Sequence, residues 1–284
     1  MNPLERLYLF TGELRLETAL HVGGGDVALG STDSPIIRYA DERPFIPGSS
    51  IKGAFRATVE KLATTLSLAN MEHVMDVLDT GSKWMQEFNR RRRDEQWSEE
   101  ETIKHIEREW PATAFLFGTP YTASRILFED ATPLEEEMVV VQRRDGVAID
   151  RDSERAVEGL KYDYEVVAPG LRLHFAATLQ NPTDRDLQLT CAGMMELVSG
   201  FFSLGGKRSS GLGRCRLENL HIYELDLHNA TATERMARLR RYLIGKTLDK
   251  KLEPVPGDPI AWMQQHIQAL LATSGGQHQG GQHA

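Results

Sequence analysis

The sequence contains little cysteine, no long hydrophobic run and no signal for export. Only two cysteines occur among 284 residues. Cys191 and Cys215 each lie among apolar residues, so we expect two buried, reduced thiols rather than a disulfide. No apolar stretch approaches the length of a membrane span, and the first ten residues do not have the layout of a signal peptide. These absences predict a cytoplasmic protein with no membrane partner.

Positive charge is also scarce. Lysine and arginine number 33 against 41 acidic residues, which gives a net charge of −8. This balance argues against indiscriminate nucleic-acid binding, but it leaves room for a local basic groove because the charges are unevenly placed. Acidic residues cluster at 99–101 and 135–137, whereas Lys207, Arg208 and Arg214 lie in or beside a glycine-rich segment. Net charge therefore does not identify the class of partner.

Several common catalytic and cofactor motifs are missing as well. No cluster of histidine and cysteine has the spacing of a tetrahedral zinc site, and His21 is isolated. His174 and His221 lie in predicted strands, where no neighbour marks either as a general base. The segment Gly205–Ser209 lacks the Gly-Lys-Ser/Thr of a nucleotide-binding loop and lies between a helix and a strand, the reverse of that motif. No serine lies in a nucleophile elbow. The sequence therefore disfavours zinc, Walker-type and α/β-hydrolase sites.

The periodicity of apolar residues predicts a mixed α+β core within residues 1–230. Strand-like alternation and helix-like spacing follow one another as β-α-β-β-α-β, the ferredoxin-like (RRM-like) order that RNA-recognition domains share. The predicted elements are a strand in 7–20, a helix from Ser49 or Ser50 to about Ala69, strands at 124–130 and 171–180, a helix at 186–203 and a strand at 214–223.

A helical insertion is predicted between the first helix and the second strand. It covers residues 71–112, and Ser98 and Glu101 within it have the spacing of a capping box. The run Arg90–Arg93 has the charge to contact RNA, although a solvated charged face is the commoner outcome for such a run. The sequence leaves the role of this insertion open.

Two more segments extend the core. Residues 133–168 are polar and irregular, which predicts a projecting hairpin, and Asp145-Gly146 is a good hairpin turn signal. Residues 231–270 add C-terminal helices, and residues 271–284 form a glycine-rich flexible tail.

The start of the first helix is a candidate anion site. Ser49 or Ser50 can cap the helix, and Lys52 and Arg56 lie one turn apart on one face. Free backbone N–H groups, hydroxyls and two cations at a helix N-terminus favour phosphate. We therefore predict a phosphate-binding site here.

The glycine-rich segment before the last core strand is a second candidate. Gly205, Gly206 and Ser209 can form a nest of backbone N–H groups, with the cations Lys207 and Arg208 at its tip. The alternative is a glycine-rich turn that serves only to reverse the chain. The two cations favour the binding interpretation.

The long loop after the first strand carries two aspartates. Asp26 and Asp33 are of the residue type that often stabilises turns by accepting backbone hydrogen bonds. A hard cation, however, needs only one or two protein carboxylates when substrate phosphate completes its shell. Residue chemistry alone leaves both possibilities open.

Four stretches in the same order resemble the RAMP superfamily and, within it, the backbone subunits of type III CRISPR effector complexes. These stretches are His21–Gly24, Pro44–Gly53, Ser124–Ala131 and Leu204–Gly213. The resemblance implies a subunit that assembles as a filament of copies along a guide RNA (crRNA), together with other type III effector subunits. It also implies contact with a complementary target RNA.

The resemblance assigns roles to particular residues. A projecting hairpin called the thumb, which intercalates into the guide–target duplex, corresponds to 133–168, with Ile149 and Arg151 in its matching sequence. In active members an aspartate on the loop after the first strand cuts target RNA with a divalent metal. The matching segment places that residue at Asp33, which would bind Mg²⁺ or Mn²⁺ only when RNA is present.

The same resemblance makes the two phosphate sites a guide-RNA track. The cations Lys52, Arg56, Lys207 and Arg208 would hold the guide backbone without reading sequence, since base pairing reads it. Two alternatives remain. The chain is a non-catalytic backbone subunit in which Asp33 is only a turn residue, or it is an endoribonuclease that processes guide precursors. The second alternative is disfavoured, because such enzymes generally use a histidine near the first helix and only His21 is available there.

Overall fold

The computed structural model describes residues 3–24, 32–149 and 156–275. Asp26 and Arg151 lie outside these ranges. The helices are α1 (Gly48–Thr65), α2 (Lys83–Asp94), α3 (Glu99–Glu109), α4 (Ala114–Phe117), α5 (Asp184–Ser199), α6 (Ala232–Ile244), α7 (Leu248–Lys251) and α8 (Pro259–Gly275). The strands are β1 (Arg6–Leu16), β2 (Ile126–Phe128), β3 (Val141–Ile149), β4 (Ala156–Val167), β5 (Arg172–Gln180), β6 (Phe202–Ser203), β7 (Arg214–Asp226) and β8 (Glu253–Pro254).

One antiparallel sheet organises the core. Its strand order is β2-β5-β1-β7-β6, and β8 pairs with the C-terminal part of β7. The central strand β1 pairs antiparallel with both β5 and β7, from Leu7 opposite Gln180 and from Arg6 opposite Asp226. Polar residues alternate with buried Leu14 and Leu16 along β1 because successive side chains point to opposite faces. The predicted α+β class is confirmed.

Helices α1 and α5 cover one face of this sheet. The buried stripe of α1 contains Ile51, Phe55 and Val59, and burial of each such side chain stabilises the fold by about 1.5–3 kcal/mol. Gly193 lets α5 approach α1 closely, since a Cβ there would lie 2.5 Å from the Phe55 ring. Helix α8 packs beside α5, and its Trp262 ring lies 5.7 Å from that of Tyr8.

The other face of the sheet is partly covered by the C-terminal helices α6 and α7. Leu239, Tyr242 and Leu248 of these helices pack against a small buried cluster around Leu7 and Leu225. None of the helices in the described ranges is long and apolar enough to cross a membrane. Within the main core, Cys191 and Cys215 are buried and free, as predicted.

The segment 71–112 contains a 3₁₀ turn followed by α2 and α3, with a hydrophobic cluster of its own. The buried members are Val77, Met85, Phe88, Ile106, Trp110 and Ala114. The predicted capping box of α3 is confirmed: the Ser98 hydroxyl accepts the N–H of Glu101, whose carboxylate accepts the N–H of Ser98. Local sequence therefore determines where α3 begins.

Strands β3 and β4 form a separate two-stranded sheet, and here the predicted turn is wrong. Asp145 and Gly146 lie inside β3, opposite Asp163 and Tyr162. The glycine is needed because a Cβ at position 146 would overlap the Tyr162 ring. The connection between the two strands falls within 150–155, outside the described residues.

Three predicted helix ends also shift. Helix α5 ends at Ser199 rather than at Ser203, because the chain turns at Gly200, whose φ is 73°, and Phe202–Ser203 form β6. Helix α1 ends at Thr65 rather than near Ala69, because the chain turns at Ser67, whose φ is 52°. Helix α8 continues to Gly275, so residues 271–275 of the predicted tail are helical. The remainder of the tail lies outside the described ranges.

Candidate nucleic-acid interface

The N-terminus of α1 is organised by a carboxylate from elsewhere in the chain. The N-cap is Pro47, and neither serine caps the helix, so the predicted cap is wrong. Instead, the Gly48 N–H donates to Oδ1 of Asp130 at 2.8 Å. Strand β2 brings Asp130 here, because Gly48 packs so closely on it that a Cβ would overlap the Phe128 carbonyl. A negative group therefore already lies at the positive end of the helix. Ser49 is exposed beside it, and Ser50 is half-buried.

The two cations of α1 differ in their partners. The Arg56 guanidinium donates to Glu60 at 2.7 Å, and both side chains are largely buried, at 18% and 13% exposure. Burial raises the pKa of Glu60, and the hydrogen bond and charge of Arg56 oppose that rise. Lys52 has no ion-pair partner among the described residues and lines a depression of about 320 Å³. Burial lowers the pKa of Lys52, and the nearby charge of Arg56 lowers it further.

The glycine-rich loop packs against His21, in the segment that follows β1. Gly205 and Gly213 have φ of 74° and 83°, and a Cβ at either would overlap a backbone carbonyl oxygen, that of His21 or Leu204. The Gly206 N–H also donates to the His21 carbonyl at 2.8 Å. Both glycines are therefore required for the close approach of two backbones, as a chain-reversal turn would require.

The cations of this loop also differ. The Lys207 ammonium lies 4.4 and 4.3 Å from the ring centroids of Tyr162 and Tyr164, both on β4. Lys207 therefore holds the hairpin to the loop by cation–π contacts. Arg208 and Ser209 are exposed, and within the described ranges the Arg208 side chain has no ion-pair or hydrogen-bond partner. The loop thus presents one free guanidinium beside one stacked ammonium.

His21 lies beneath the site as a structural residue. It is 7% exposed, and its Nδ1 lies 2.7 Å from the carbonyl oxygen of Glu165. Because a carbonyl only accepts, Nδ1 carries the proton and Nε2 accepts the Ser34 hydroxyl at 3.3 Å. Both ring nitrogens are engaged, so the geometry does not favour His21 as a general base.

Asp33 is exposed and tied to β4 of the hairpin by two reciprocal hydrogen bonds. Its N–H donates to Oδ1 of Asp163 at 2.7 Å, and its Oδ2 accepts the Asp163 N–H at 3.0 Å. The buried Asp163 carboxylate is also paired with Arg143. Sequence reasoning missed Asp163; its only signal was an acid alternating with Tyr162 and Tyr164 along a polar hairpin.

The loop that follows Asp33 is held to β4 at two more points. The Ser34 carbonyl accepts the N–H of Glu165 at 3.0 Å. The Glu165 carboxylate accepts the Ile36 N–H at 3.2 Å and an Arg38 N–H at 2.9 Å. The loop that follows Asp33 and the glycine-rich loop therefore both contact β4.

A divalent ion fits this place only as a substrate-completed site. In the part of the chain that the structure describes, no group of three or more His, Cys, Asp or Glu side chains is arranged to hold a metal. Asp33 keeps Oδ1 without a hydrogen-bond partner among those residues. One exposed carboxylate oxygen suits Mg²⁺ or Mn²⁺, which retain water and bind substrate phosphate.

Comparison with known proteins identifies the family of the chain. A family model described as the RAMP superfamily matches residues 13–216. The chain is 27% identical over 214 residues to the "CRISPR system Cms endoribonuclease Csm3" of Streptococcus thermophilus, which covers 74% of this chain and 87% of the relative. Proteins of the same description from Methanocaldococcus jannaschii and Enterococcus italicus are 47% identical over 55 residues and 45% identical over 53 residues. These two matches cover 19% and 18% of this chain and 22% and 25% of the relatives.

Proposed function

The chain belongs to the RAMP superfamily, and from that premise we propose that it is a backbone subunit of a type III CRISPR effector complex. In this role it binds guide RNA alongside further copies of itself and other effector subunits. It also cleaves complementary target RNA, with Asp33 as the catalytic residue. One observation carries the proposal: Asp33 is exposed beside β4, the strand that Lys207 of the glycine-rich loop also contacts, and one of its carboxylate oxygens is free of protein donors in the described ranges.

We assign the core to the ferredoxin-like arrangement. The strands that correspond to the four core strands are adjacent in the order β2-β5-β1-β7, and each neighbouring pair is antiparallel. Helices α1 and α5 are the two connections of a β-α-β-β-α-β chain and lie on the same face. This order supports the assignment.

The guide backbone would be held by groups that the fold leaves without a carboxylate partner. Within the described ranges Lys52, Lys207 and Arg208 are the cations of this kind, and Lys207 is engaged instead by the Tyr162 and Tyr164 rings. The Ser49, Ser50 and Ser209 hydroxyls and the N–H groups of the 205–206 turn lie beside them and can donate to phosphate oxygens. Arg56 and Lys207 contribute mainly by fixing α1 and the loop.

The reaction needs little from the protein beyond alignment. RNA supplies its own nucleophile, the 2′-OH, so the site must hold the phosphate in line with it. Asp33 would hold a Mg²⁺ or Mn²⁺ ion with the RNA phosphate, and such an ion offsets charge on the phosphate and the leaving oxygen. Asp163 keeps Asp33 in place through the two reciprocal hydrogen bonds.

The β3–β4 hairpin is the proposed thumb. Ile149 pairs with Ala156 at the last described position before the connection, so its backbone lies at the far end of the hairpin from Asp163. Arg151 belongs to the connection itself, outside the described residues. A two-stranded hairpin that is anchored through Asp163 and Glu165 of β4 is suited to this role.

One observation favours the non-catalytic alternative. Asp33 Oδ2 already accepts a backbone N–H, which is what a turn aspartate does. The guide-processing alternative has no such support, because His21 is buried with both ring nitrogens engaged.

Cleavage of target RNA by the guide-loaded assembly distinguishes these functions. Wild type and Asp33→Ala would be compared with Mg²⁺, Mn²⁺ or EDTA, with Asp41→Ala as the control for loss of an exposed carboxylate that is paired with Arg43. We expect Asp33→Ala and EDTA each to abolish regularly spaced cuts while target binding persists. Unchanged cutting by Asp33→Ala would contradict the catalytic assignment. No cutting by wild type would favour the non-catalytic subunit.

A further inference from the structure

The four consecutive arginines of α2 fall into two groups. Arg91 is used inside the insertion: it pairs with Glu109 at 2.5 Å, and its guanidinium lies 5.5 Å from the Trp97 ring centroid. Burial tends to raise the pKa of Glu109, but hydrogen bonds from Arg91, Arg108 and His105 outweigh it and lower that pKa to about 2. Arg90 pairs with Glu87 on the surface, at 2.8 Å.

Arg92 and Arg93 form no ion pair of this kind among the described residues. Neither has a carboxylate partner among the described residues, and the buried Nε of Arg92 has no hydrogen-bond partner there. Together with Gln86, Asn89 and Arg90 they line a depression of about 610 Å³. We call these five residues the arginine face. They recur at three- and four-residue spacing, so they lie on one side of α2.

The arginine face is held rigidly. The Arg92 guanidinium lies 5.1 Å from the Tyr121 ring centroid, and the Tyr121 hydroxyl donates to Asn89. Tyr121 in turn packs on the aromatic cluster of the insertion, with its ring 5.8 Å from that of Trp110. A preorganised guanidinium loses less conformational entropy on binding than a free one.

The loop that carries Tyr121 also connects the arginine face to the α1 site. Gly118, Thr119 and Pro120 line the depression that contains Lys52, and the next residue, Tyr121, lies against Arg92. Residues 118–121 therefore link the depression that contains Lys52 to the arginine face. An extended polyanion that contacts Lys52 has further cations beyond the loop.

We propose that the arginine face is an additional binding site for the phosphate backbone of single-stranded RNA. The choice of RNA rests on the proposed function. All five lining side chains are polar, whereas protein-docking sites have an apolar centre. Arginine and side-chain amides are the groups that contact phosphate and sugar. Contacts of this kind to the backbone extend affinity and carry no sequence information directly.

Fluorescence anisotropy of a labelled single-stranded RNA tests this, with the full-length chain over a series of salt concentrations. The test variant is Arg92→Ala with Arg93→Ala. The control is Lys61→Ala with Lys104→Ala, which removes the same charge from exposed positions on α1 and α3, away from the arginine face. Each lost phosphate contact should lower the salt slope by about 0.7, and two should weaken binding by roughly tenfold.

The outcomes separate this site from the proposed function. A test variant that matches the control in slope and affinity would overturn the arginine face while leaving RNA binding intact. Wild type that fails to bind RNA would instead overturn the proposed function and this site with it. Competition by poly-glutamate that disappears in the test variant, with RNA affinity unchanged, would make the face a protein site and overturn the proposal. Arg92→Lys with Arg93→Lys controls for folding and should keep the slope.

Discussion

The start of α1 and the glycine-rich loop each carry two cations, and the fold engages one of each pair internally. At α1 the partner is a carboxylate, since Arg56 pairs with Glu60, and Asp130 adds a second negative charge at the helix end. At the loop the partners are neutral, since Lys207 lies over two tyrosine rings. The charge of α1 is therefore largely cancelled, whereas that of the loop is not.

This difference shows that a cation in a motif is not yet a phosphate ligand. What decides is whether the fold supplies a carboxylate to it. By this criterion the loop is the stronger of the two sites and Lys52 the working cation of the weaker one. The arginine run of α2 follows the same rule: Arg91 is paired with Glu109, whereas Arg92 contacts the Tyr121 ring and has no carboxylate partner among the described residues.

The largest expected effect is a loss of stability caused by a substitution in the glycine-rich loop. Gly213→Ala should destabilise the protein by roughly 3 kcal/mol or more, because its φ is 83° and the added Cβ overlaps the Leu204 carbonyl oxygen. Gly211→Ala is the matched control: its φ is 84°, but the added Cβ meets open space, so the cost should be about 1–2 kcal/mol. Urea unfolding measures both, and equal costs would show that close packing is not what requires Gly213.

A second effect should appear at α1 and depend on pH. Arg56→Ala leaves the largely buried Glu60 carboxylate unpaired, which should cost about 1–3 kcal/mol near pH 7. Burial already raises the pKa of Glu60 above 4.5, and loss of Arg56 raises it further. An acid with a raised pKa in the folded state stabilises that state fully below its unfolded pKa, and this contribution is lost as pH rises through the folded pKa.

The loss of unfolding free energy in Arg56→Ala, relative to wild type, should therefore be smallest near pH 4 and grow toward neutral pH. Thermal unfolding between these limits measures it, with Lys61→Ala as the exposed control on the same helix. A deficit that is the same at every pH would show that Glu60 is not the cause.

The order of core elements and the cap of α3 could be predicted because both depend on residues close in sequence. The features that were missed depend on distant ones. Asp130 reaches the start of α1 across 82 positions, and Asp163 reaches Asp33 across 130. Lys207 meets Tyr162 across 45. Local pattern carries no record of such pairings, so it could place the candidate cations but not distinguish free from engaged ones.

A smaller effect, on RNA affinity, is expected from a substitution at the start of α1. Asp130→Asn keeps an oxygen that can accept the Gly48 N–H but removes the negative charge from the helix end. Stability should change by less than about 1 kcal/mol, and RNA affinity should rise by roughly two- to fivefold. Anisotropy with the same labelled RNA measures this. Unchanged affinity would mean that RNA does not approach this helix end.

The salt dependence of RNA binding by Arg208→Ala and Arg56→Ala tests the central claim most directly, because each variant removes one arginine from one predicted site. It should be measured at a temperature where both variants are folded. If cations without a carboxylate partner hold the RNA backbone, Arg208→Ala should lower the salt slope by about 0.7 and Arg56→Ala should leave it unchanged. An equal or larger loss of slope with Arg56→Ala would contradict the account.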